Sequence, residues 1–265
     1  MSDLSGLQIK PVSQSSVFDY ANLLSQSFRG FKPSVEYLSW LYFENPRGQV
    51  RGFDAFDGEK IVAHYACVPI KIFGYKNDSL LSLNTATHPD YQGRGLFSAL
   101  ASKTFESVST SFANVLGVAN AKSVGGFVKH LGFEKIGNLD LRVGSLKRAT
   151  TGSRIYSKNE IEWRASCPRR ELKISERESN SYLVSARISR FLPELKAIVP
   201  VEFEHPSKNS HLNIGMTLDW RRGVKPIVKL PVFMKPSPLE LIYKPLLEID
   251  SSKFSSFSFP DFDAY

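Results

Sequence analysis

The stretch that most limits the fold is residues 88–100, HPDYQGRGLFSAL. An alternating segment, SLLSLNTATH, leads into it, and Phe97, Leu100, Ala101, Thr104, Phe105 and Val108 follow at helical spacing. A strand therefore hands over to an amphipathic helix across a turn that holds Gly93 and Gly95. Glycine accepts the left-handed backbone angles of a tight turn. It also leaves the first N–H groups of the helix uncovered at the positive end of the dipole. That combination suits an anion, usually a phosphate.

The elements around the turn define an α/β chain. LQIKPVS reads as a short first strand, and Val17, Tyr20, Ala21, Leu24 and Phe28 recur at helical spacing. Ser34 is placed to cap a second helix, VEYLSWLYF, which Asn45-Pro46 ends. Two strands follow around an Asp57-Gly58 turn, and then SLLSLNTATH. After the glycine turn and its helix, FANVLGV reads as a buried strand. Val124, Phe127, Val128 and Leu131 mark a second amphipathic helix that stops at Gly132, and FEKIGNLDLRVG closes the series. The order β-α-α-β-β-β-α-β-α-β contains both a hairpin and a β-α-β unit, so a mixed sheet is expected. The polar stretch 147–154 reads as a linker, which divides the chain into 1–148 and 149–265.

The second part echoes the first. EYLSWLYFENPRG at 36–48 and NEIEWRASCPRR at 159–170 each set acidic and apolar residues before a tryptophan and then a proline. Strand-like sequence follows each, which suggests two related halves. Only the first half has a glycine loop. The later segment VKPIVKLPVFMKPSPLELIYKP is too rich in proline for a long helix.

Composition narrows the classes of function. With 42% hydrophobic and 12% aromatic residues the chain can bury a real core, which argues against disorder. The net charge of +8 divides into +4 on residues 1–148 and +4 on the rest. Only short clusters occur, such as Lys147-Arg148 and Arg221-Arg222, so no nucleic-acid partner is expected, and a general attraction for anionic ligands is. Cys67 and Cys167 are too few for a disulfide framework or a zinc site, and no metal is expected. The start MSDLSGLQIK lacks a leader pattern and no apolar run approaches a membrane span, so a cytoplasmic protein is expected.

Residues 1–148 resemble the GNAT superfamily of acyl-CoA-dependent acyltransferases. That family carries an Arg/Gln-x-x-Gly-x-Gly/Ala loop between a strand and a helix, and Gln92, Gly93, Arg94, Gly95, Leu96 and Phe97 match it. It also carries an asparagine before a helix that ends in Gly-Phe, matched by Asn120, Ser123, Phe127 and Gly132-Phe133. The Trp-to-Asn-Pro-Arg-Gly segment is similar to longer bacterial members with a degenerate second GNAT-like half. The resemblance implies acetyl-CoA as co-substrate, with its pyrophosphate on the N–H groups of 93–97. The open edge of Thr85, Ala86 and Thr87 would take the pantetheine arm, and Asn120 and Ser123 lie beside it. The second half, 149–265, would wall the acceptor site.

Two departures from the family pattern stand out. Phe97 replaces the final Gly/Ala of the loop, so packing beneath it must differ. Phe127 falls where the family often has a tyrosine that protonates the departing thiolate, and phenylalanine has no proton to give. Gly125-Gly126 in the same helix leaves open a close approach of ligand or a tolerated weak spot. For ordering or deprotonating the amine, the candidates are Glu44 at the end of the second helix and His64 on a central strand. His88 and His130 read as structural. The expected function is transfer of an acetyl group to the amine of a small molecule, an amino sugar or an amino acid. The alternatives are a catalytically inactive coenzyme A binding or scaffold protein, and a Fem-like aminoacyltransferase.

Overall fold

The computed structural model describes residues 4–28, 30–146, 151–177, 181–187, 193–201, 214–223, 228–229, 239–247 and 253–262. The first part runs β1 (Gln8–Pro11), α1 (Val17–Ser27), α2 (Val35–Phe43), β2 (Arg51–Asp57), β3 (Lys60–Ile72), β4 (Ser79–Thr87), α3 (Leu96–Val108), β5 (Asn114–Ala119), α4 (Val124–Leu131) and β6 (Glu134–Ser145). The order expected from the sequence is the order found. The hairpin turn is displaced by one residue: Asp57 pairs with Lys60, so Gly58, at φ 58°, and Glu59 make the bend.

The second part contributes β7 (Arg154–Ile155), α5 (Lys158–Ala165), β8 (Leu172–Arg177), β9 (Ser181–Ala186), β10 (Leu195–Pro200), β11 (Ile214–Arg221), β12 (Val228–Lys229), β13 (Leu239–Pro245) and β14 (Ser256–Ser258). The proline-rich segment thus supplies two strands, with 224–227 and 230–238 outside the described residues. So do Lys147-Arg148, His205 and His211. Residues 151–154 do not behave as a solvated linker. Ser153 and Arg154 are buried, and a Cβ on Gly152 would fall 1.8 Å from the Lys253 carbonyl oxygen.

One mixed sheet unites the two parts, in the order β1-β2-β3-β4-β5-β13-β6-β11-β14. β6 does not close onto β5: β13 lies between them, antiparallel to both. β8, β9 and β10 form a separate antiparallel sheet. The long strand β3 explains the layering. Ala63, Tyr65 and Cys67 join the core under α3 and α4, whereas Ala66, Val68 and Ile70 join the larger core shared with α1, α2 and the second part.

The sheet opens at its centre. β4 and β5 are parallel, and their pairing stops at Ser82↔Gly117. Beyond it β4 carries an extra residue against β3, around Asn84 and Thr85 opposite Tyr65. Asn84 sits at φ 50°, a left-handed conformation that asparagine tolerates better than most residues. This bulge twists β4 away and leaves its edge from 83 to 87 without β5 as a partner.

Candidate active site

Two clefts meet at the opening. The first, about 1060 Å³, runs along the β4 edge (Thr85, Ala86, Thr87) past Gln92, Gly93 and Gly95 and under α4. Gly93 and Gly95 lie at φ 78° and 76°, and Gly95 is the N-cap of α3 with no side chain to cap it. Among the described residues, the N–H groups of Gly93 to Ser98 have no hydrogen-bond partner within the protein. An unfilled row of donors at the start of a 13-residue helix is the arrangement that holds a phosphate. Leu96 and Ala86 are buried, so they offer backbone rather than side chain. Gln92 donates from Nε2 to the Thr87 carbonyl at 3.3 Å and ties the loop to the strand end. The Arg94 guanidinium lies over the Tyr91 ring at 4.7 Å and does not line the cleft. Lys122, not singled out in the sequence, and His130, expected to be structural, do line it.

The departures have a joint explanation. Phe97 meets Phe127 edge to face, with centroids 4.9 Å apart, and a Cβ on Gly126 would come within 3.1 Å of the Phe97 ring. Gly126 makes room for the larger residue in the loop. Gly125 has nothing within 4 Å of a notional Cβ.

The second cleft, about 540 Å³, shares Thr85, Ser123 and Phe127 with the first. Its walls are largely apolar, from Phe31 and Leu83 to Val118 and Phe262, with Tyr37, Asn84, Asn120, Arg169 and Arg170 as polar groups. Asn120 therefore borders this cleft rather than the first, and its Oδ1 accepts from the N–H groups of Lys122 and Ser123 at 3.0 and 3.1 Å. Three residues of the second part, Arg169, Arg170 and Phe262, reach the same cleft.

Of the two candidates for handling the amine, only His64 is linked to this cleft. Asp54 and His64 are register partners on β2 and β3, on the face covered by α1 and α2. His64 Nδ1 donates to Asp54 Oδ1 at 2.6 Å, since a carboxylate only accepts. In the neutral imidazole Nε2 then accepts from the Tyr42 hydroxyl at 3.0 Å, and Tyr42 in turn accepts from Asn84 Nδ2 at 3.2 Å. Tyr20 donates to the other Asp54 oxygen at 2.7 Å and stacks on His64 at 4.4 Å. Burial pushes the Tyr42 hydroxyl far above the ordinary phenol range, so it stays neutral. Every member has a partner, and the chain ends on the strained residue that lines the cleft. Glu44 stands apart. Asn45 turns inward to bond the Pro69 carbonyl at 3.0 Å, which leaves Glu44 in solvent and outside both clefts.

Other residues are structural. His88 caps a short 3-10 turn, accepting from Asp90 N, and burial drives the Cys67 thiol up to about 12. Among the described residues there is no group of three or more His, Cys, Asp or Glu that could hold a metal, and no helix is long and apolar enough to cross a membrane.

Residues 8–136 match a family model described as an acetyltransferase (GNAT) domain. Among solved structures, the fold is similar to a conserved protein of Enterococcus faecalis V583 described as a probable N-acyltransferase, at 12% identity and TM-score 0.53. That match covers 69% of this chain and 56% of the other. A GCN5-related N-acetyltransferase from Kribbella flavida matches at 15% identity and TM-score 0.53, over 73% of this chain and 57% of its own. The chain thus spans a little over half the length of both. No curated protein matches the sequence.

Proposed function

The chain belongs to the GNAT acetyltransferase superfamily through residues 8–136, and from that membership we propose that it moves an acetyl group from acetyl-CoA to the amine of a small molecule. The observation that carries this reading is the row of unpartnered N–H groups from Gly93 to Ser98 beside the open edge of β4. The pyrophosphate of coenzyme A fits the first and its amide-bearing arm the second. Lys122 adds positive charge along the cleft, and the His130 imidazole also lines it. The thioester would then lie where Thr85, Ser123 and Phe127 border both clefts, with the acceptor entering from the second.

Transfer forms an N–C bond at the thioester carbonyl and breaks C–S. The amine gives up a proton and the thiolate gains one. Phe127 supplies none, and the hydroxyl of Thr85, which borders both clefts, is placed to hydrogen-bond the departing sulfur, whereas that of Ser123 is turned to Asn120 at 3.3 Å. On the amine side, Tyr42 takes one N–H of the Asn84 amide, so its carbonyl oxygen is the end left to accept from the amine. His64 acts here as a positioning residue: with Asp54 and Tyr42 it fixes the amide, while water removes the proton. Residues 149–265 form, in this reading, a degenerate GNAT-like half that binds no cofactor and walls the acceptor.

Calorimetry should give one coenzyme A per chain, and acetyl-CoA with an amine panel should give N-acetyl product. Tyr42→Phe keeps the ring and removes the hydroxyl, so it should raise KM for the amine more than it lowers kcat and leave coenzyme A affinity unchanged. Coenzyme A binding with no turnover on any amine would favour a binding protein instead.

A further inference from the structure

We infer that the acceptor amine is borne on an apolar body the size of an aromatic ring, as in an arylalkylamine, and that Phe31, Leu83 and Val118 in the second cleft receive that body. This rests on the acyltransferase reading above. The polar side chains of the cleft gather where it meets the cofactor cleft. Thr85 and Ser123 border both, Asn84 precedes Thr85, and Asn120 is hydrogen-bonded to Ser123. The rest of the described lining is mostly carbon: Phe28, Phe31 and Leu41 on the side of α1 and α2, Leu81 and Leu83 on β4, and Val118 on β5. Of its charged residues, Arg169 and Arg170, the first is set over the rings of Phe31 and Tyr37 at 4.6 and 5.4 Å. A molecule with its nitrogen at the junction therefore lays its remainder on apolar side chains.

Those side chains leave the larger core open at this point. Phe28, Phe31, Leu83 and Val118 pack against it, yet each is only half-buried. An apolar body set on them removes carbon surface from water on both partners. The volume of about 540 Å³ holds an aromatic ring on a short chain. A sugar fares differently, because each hydroxyl it brings in gives up water and needs a new partner. The nearby polar side chains are already engaged within the protein. Asn84 Nδ2 donates to Tyr42 at 3.2 Å, Asn120 Oδ1 accepts from the N–H groups of Lys122 and Ser123, and Ser123 Oγ donates to the Asn120 carbonyl at 3.3 Å. With Asn84 Oδ1 turned to the amine, a ring of hydroxyls would face Phe31, Leu83 and Val118.

The test compares 2-phenylethylamine, ethylamine and glucosamine, with acetyl-CoA as donor. The glucosamine amine loses its proton most readily of the three, so a preference against it reports binding of the body and not proton loss. kcat/KM for 2-phenylethylamine should exceed that for each of the others by about 10-fold or more. In Phe31→Asn the advantage over ethylamine should fall close to one, with coenzyme A affinity unchanged in calorimetry. Val118→Asn repeats the test from the other wall. A kcat/KM for 2-phenylethylamine no higher than for ethylamine or glucosamine, or a preference that survives both substitutions, overturns the inference. So does a preference for hexanoyl-CoA over acetyl-CoA that Phe31→Asn removes, which would give the cleft to the acyl chain. A calorimetric titration of 2-phenylethylamine into the coenzyme A complex is read beside the kinetics. Binding that Phe31→Asn weakens by about 10-fold or more, without turnover of any amine, upholds the apolar site while the acyltransfer reading fails. Turnover of all three amines with no preference among them does the reverse, and neither binding nor turnover of 2-phenylethylamine overturns the apolar site.

Discussion

The helix α2 with the strands β2–β4, and the helix α5 with the strands β8–β10, begin alike and end differently. Ser34 caps α2 by accepting from Tyr37 N at 3.1 Å, and Ser157 caps α5 by accepting from Glu160 N at 3.2 Å. Trp40 and Trp163 stand the same distance beyond their caps. They stack at 4.4 Å, and each indole N–H donates to the backbone carbonyl of the other, at 2.9 and 3.1 Å. A proline-arginine pair follows each helix, and there the roles part. Arg47 turns to the buried Glu160 of the other helix, at 2.6 Å, while Arg169 lies on Phe31 and Tyr37 in the second cleft. The same local sequence braces one side of the junction and lines a cleft on the other. What separates the two units is the continuation: β4 bulges at Asn84 and leads into the glycine loop, and β10 has no such loop after it in the sequence.

The largest effect should come from that loop. Gly95→Glu puts a carboxylate against the donor row and a side chain at φ 76°, so coenzyme A affinity should fall at least 100-fold in a folded protein. An unchanged affinity in calorimetry, with a native circular dichroism spectrum, would remove the cofactor site from the first unit. Two coenzyme A molecules per wild-type chain would end the distinction between the units.

The tryptophan pair is the next most sensitive point. Both indoles are almost fully buried, and removing a buried tryptophan costs about 3–5 kcal/mol. Trp40→Ala and Trp163→Ala should destabilise to a similar extent, because each loses the same stack and one indole-to-carbonyl hydrogen bond. The double variant should cost less than the sum by about 0.5–3 kcal/mol, since the two residues share one contact. Urea unfolding that gives additive or very unequal losses would show that the symmetry of the contact is not a symmetry of energy.

Glu160 shows how the junction titrates. Burial alone would raise its carboxyl. The Arg47 hydrogen bond, the charges of Arg154 and Arg47, and the Ser157 N–H together outweigh burial and hold it below the ordinary range. An unfolded glutamate titrates near about 4.3. The folded value is lower, so this stabilisation is present above the unfolded value and is lost as pH falls through the folded one. Glu160→Gln should cost about 3–5 kcal/mol at neutral pH, the loss expected when a buried pair is broken. It should also flatten the acid limb of stability below about pH 4. Equal acid sensitivity in wild type and variant would mean that other carboxylates govern that limb.

These features were unequally legible in the sequence. The glycine turn, the Ser34 cap, the order of elements through β6 and the tryptophan echo are local patterns, and each lies within a few turns of chain. The insertion of β13 between β5 and β6 joins strands far apart in sequence, and nothing in LELIYKP names its neighbours. The Asp54–His64–Tyr42–Asn84 chain is scattered over four elements, so His64 was visible as a residue type while its partners were not. Glu44 is a candidate by its place at a helix end, but Asn45 takes the inward turn and Glu44 is exposed. Phe97 looked like a departure because its compensation, Gly126, lies in another helix. Arg169 stands within the echoed segment, yet only packing against Phe31 and Tyr37 tells it from Arg47.

The smallest effect separates the two residues that precede those prolines. Asn45 and Cys167 occupy matching places, but only Asn45 is buried and doubly bonded, donating to the Pro69 carbonyl at 3.0 Å and accepting from Arg47 N at 3.0 Å. Asn45→Cys leaves that carbonyl and that N–H without their partner, at a cost of about 1–3 kcal/mol. Cys167 is only half-buried. Cys167→Asn removes a small thiol from the rim of the larger core, and the change should stay within about 0.5 kcal/mol. The two thermal unfolding curves would therefore move apart, the first downward and the second barely at all. Equal shifts would mean that the turn after α5 is held as tightly as the turn after α2. The arginine that follows would then be fixed by its backbone, and its place in the second cleft would owe less to the aromatic rings beneath it.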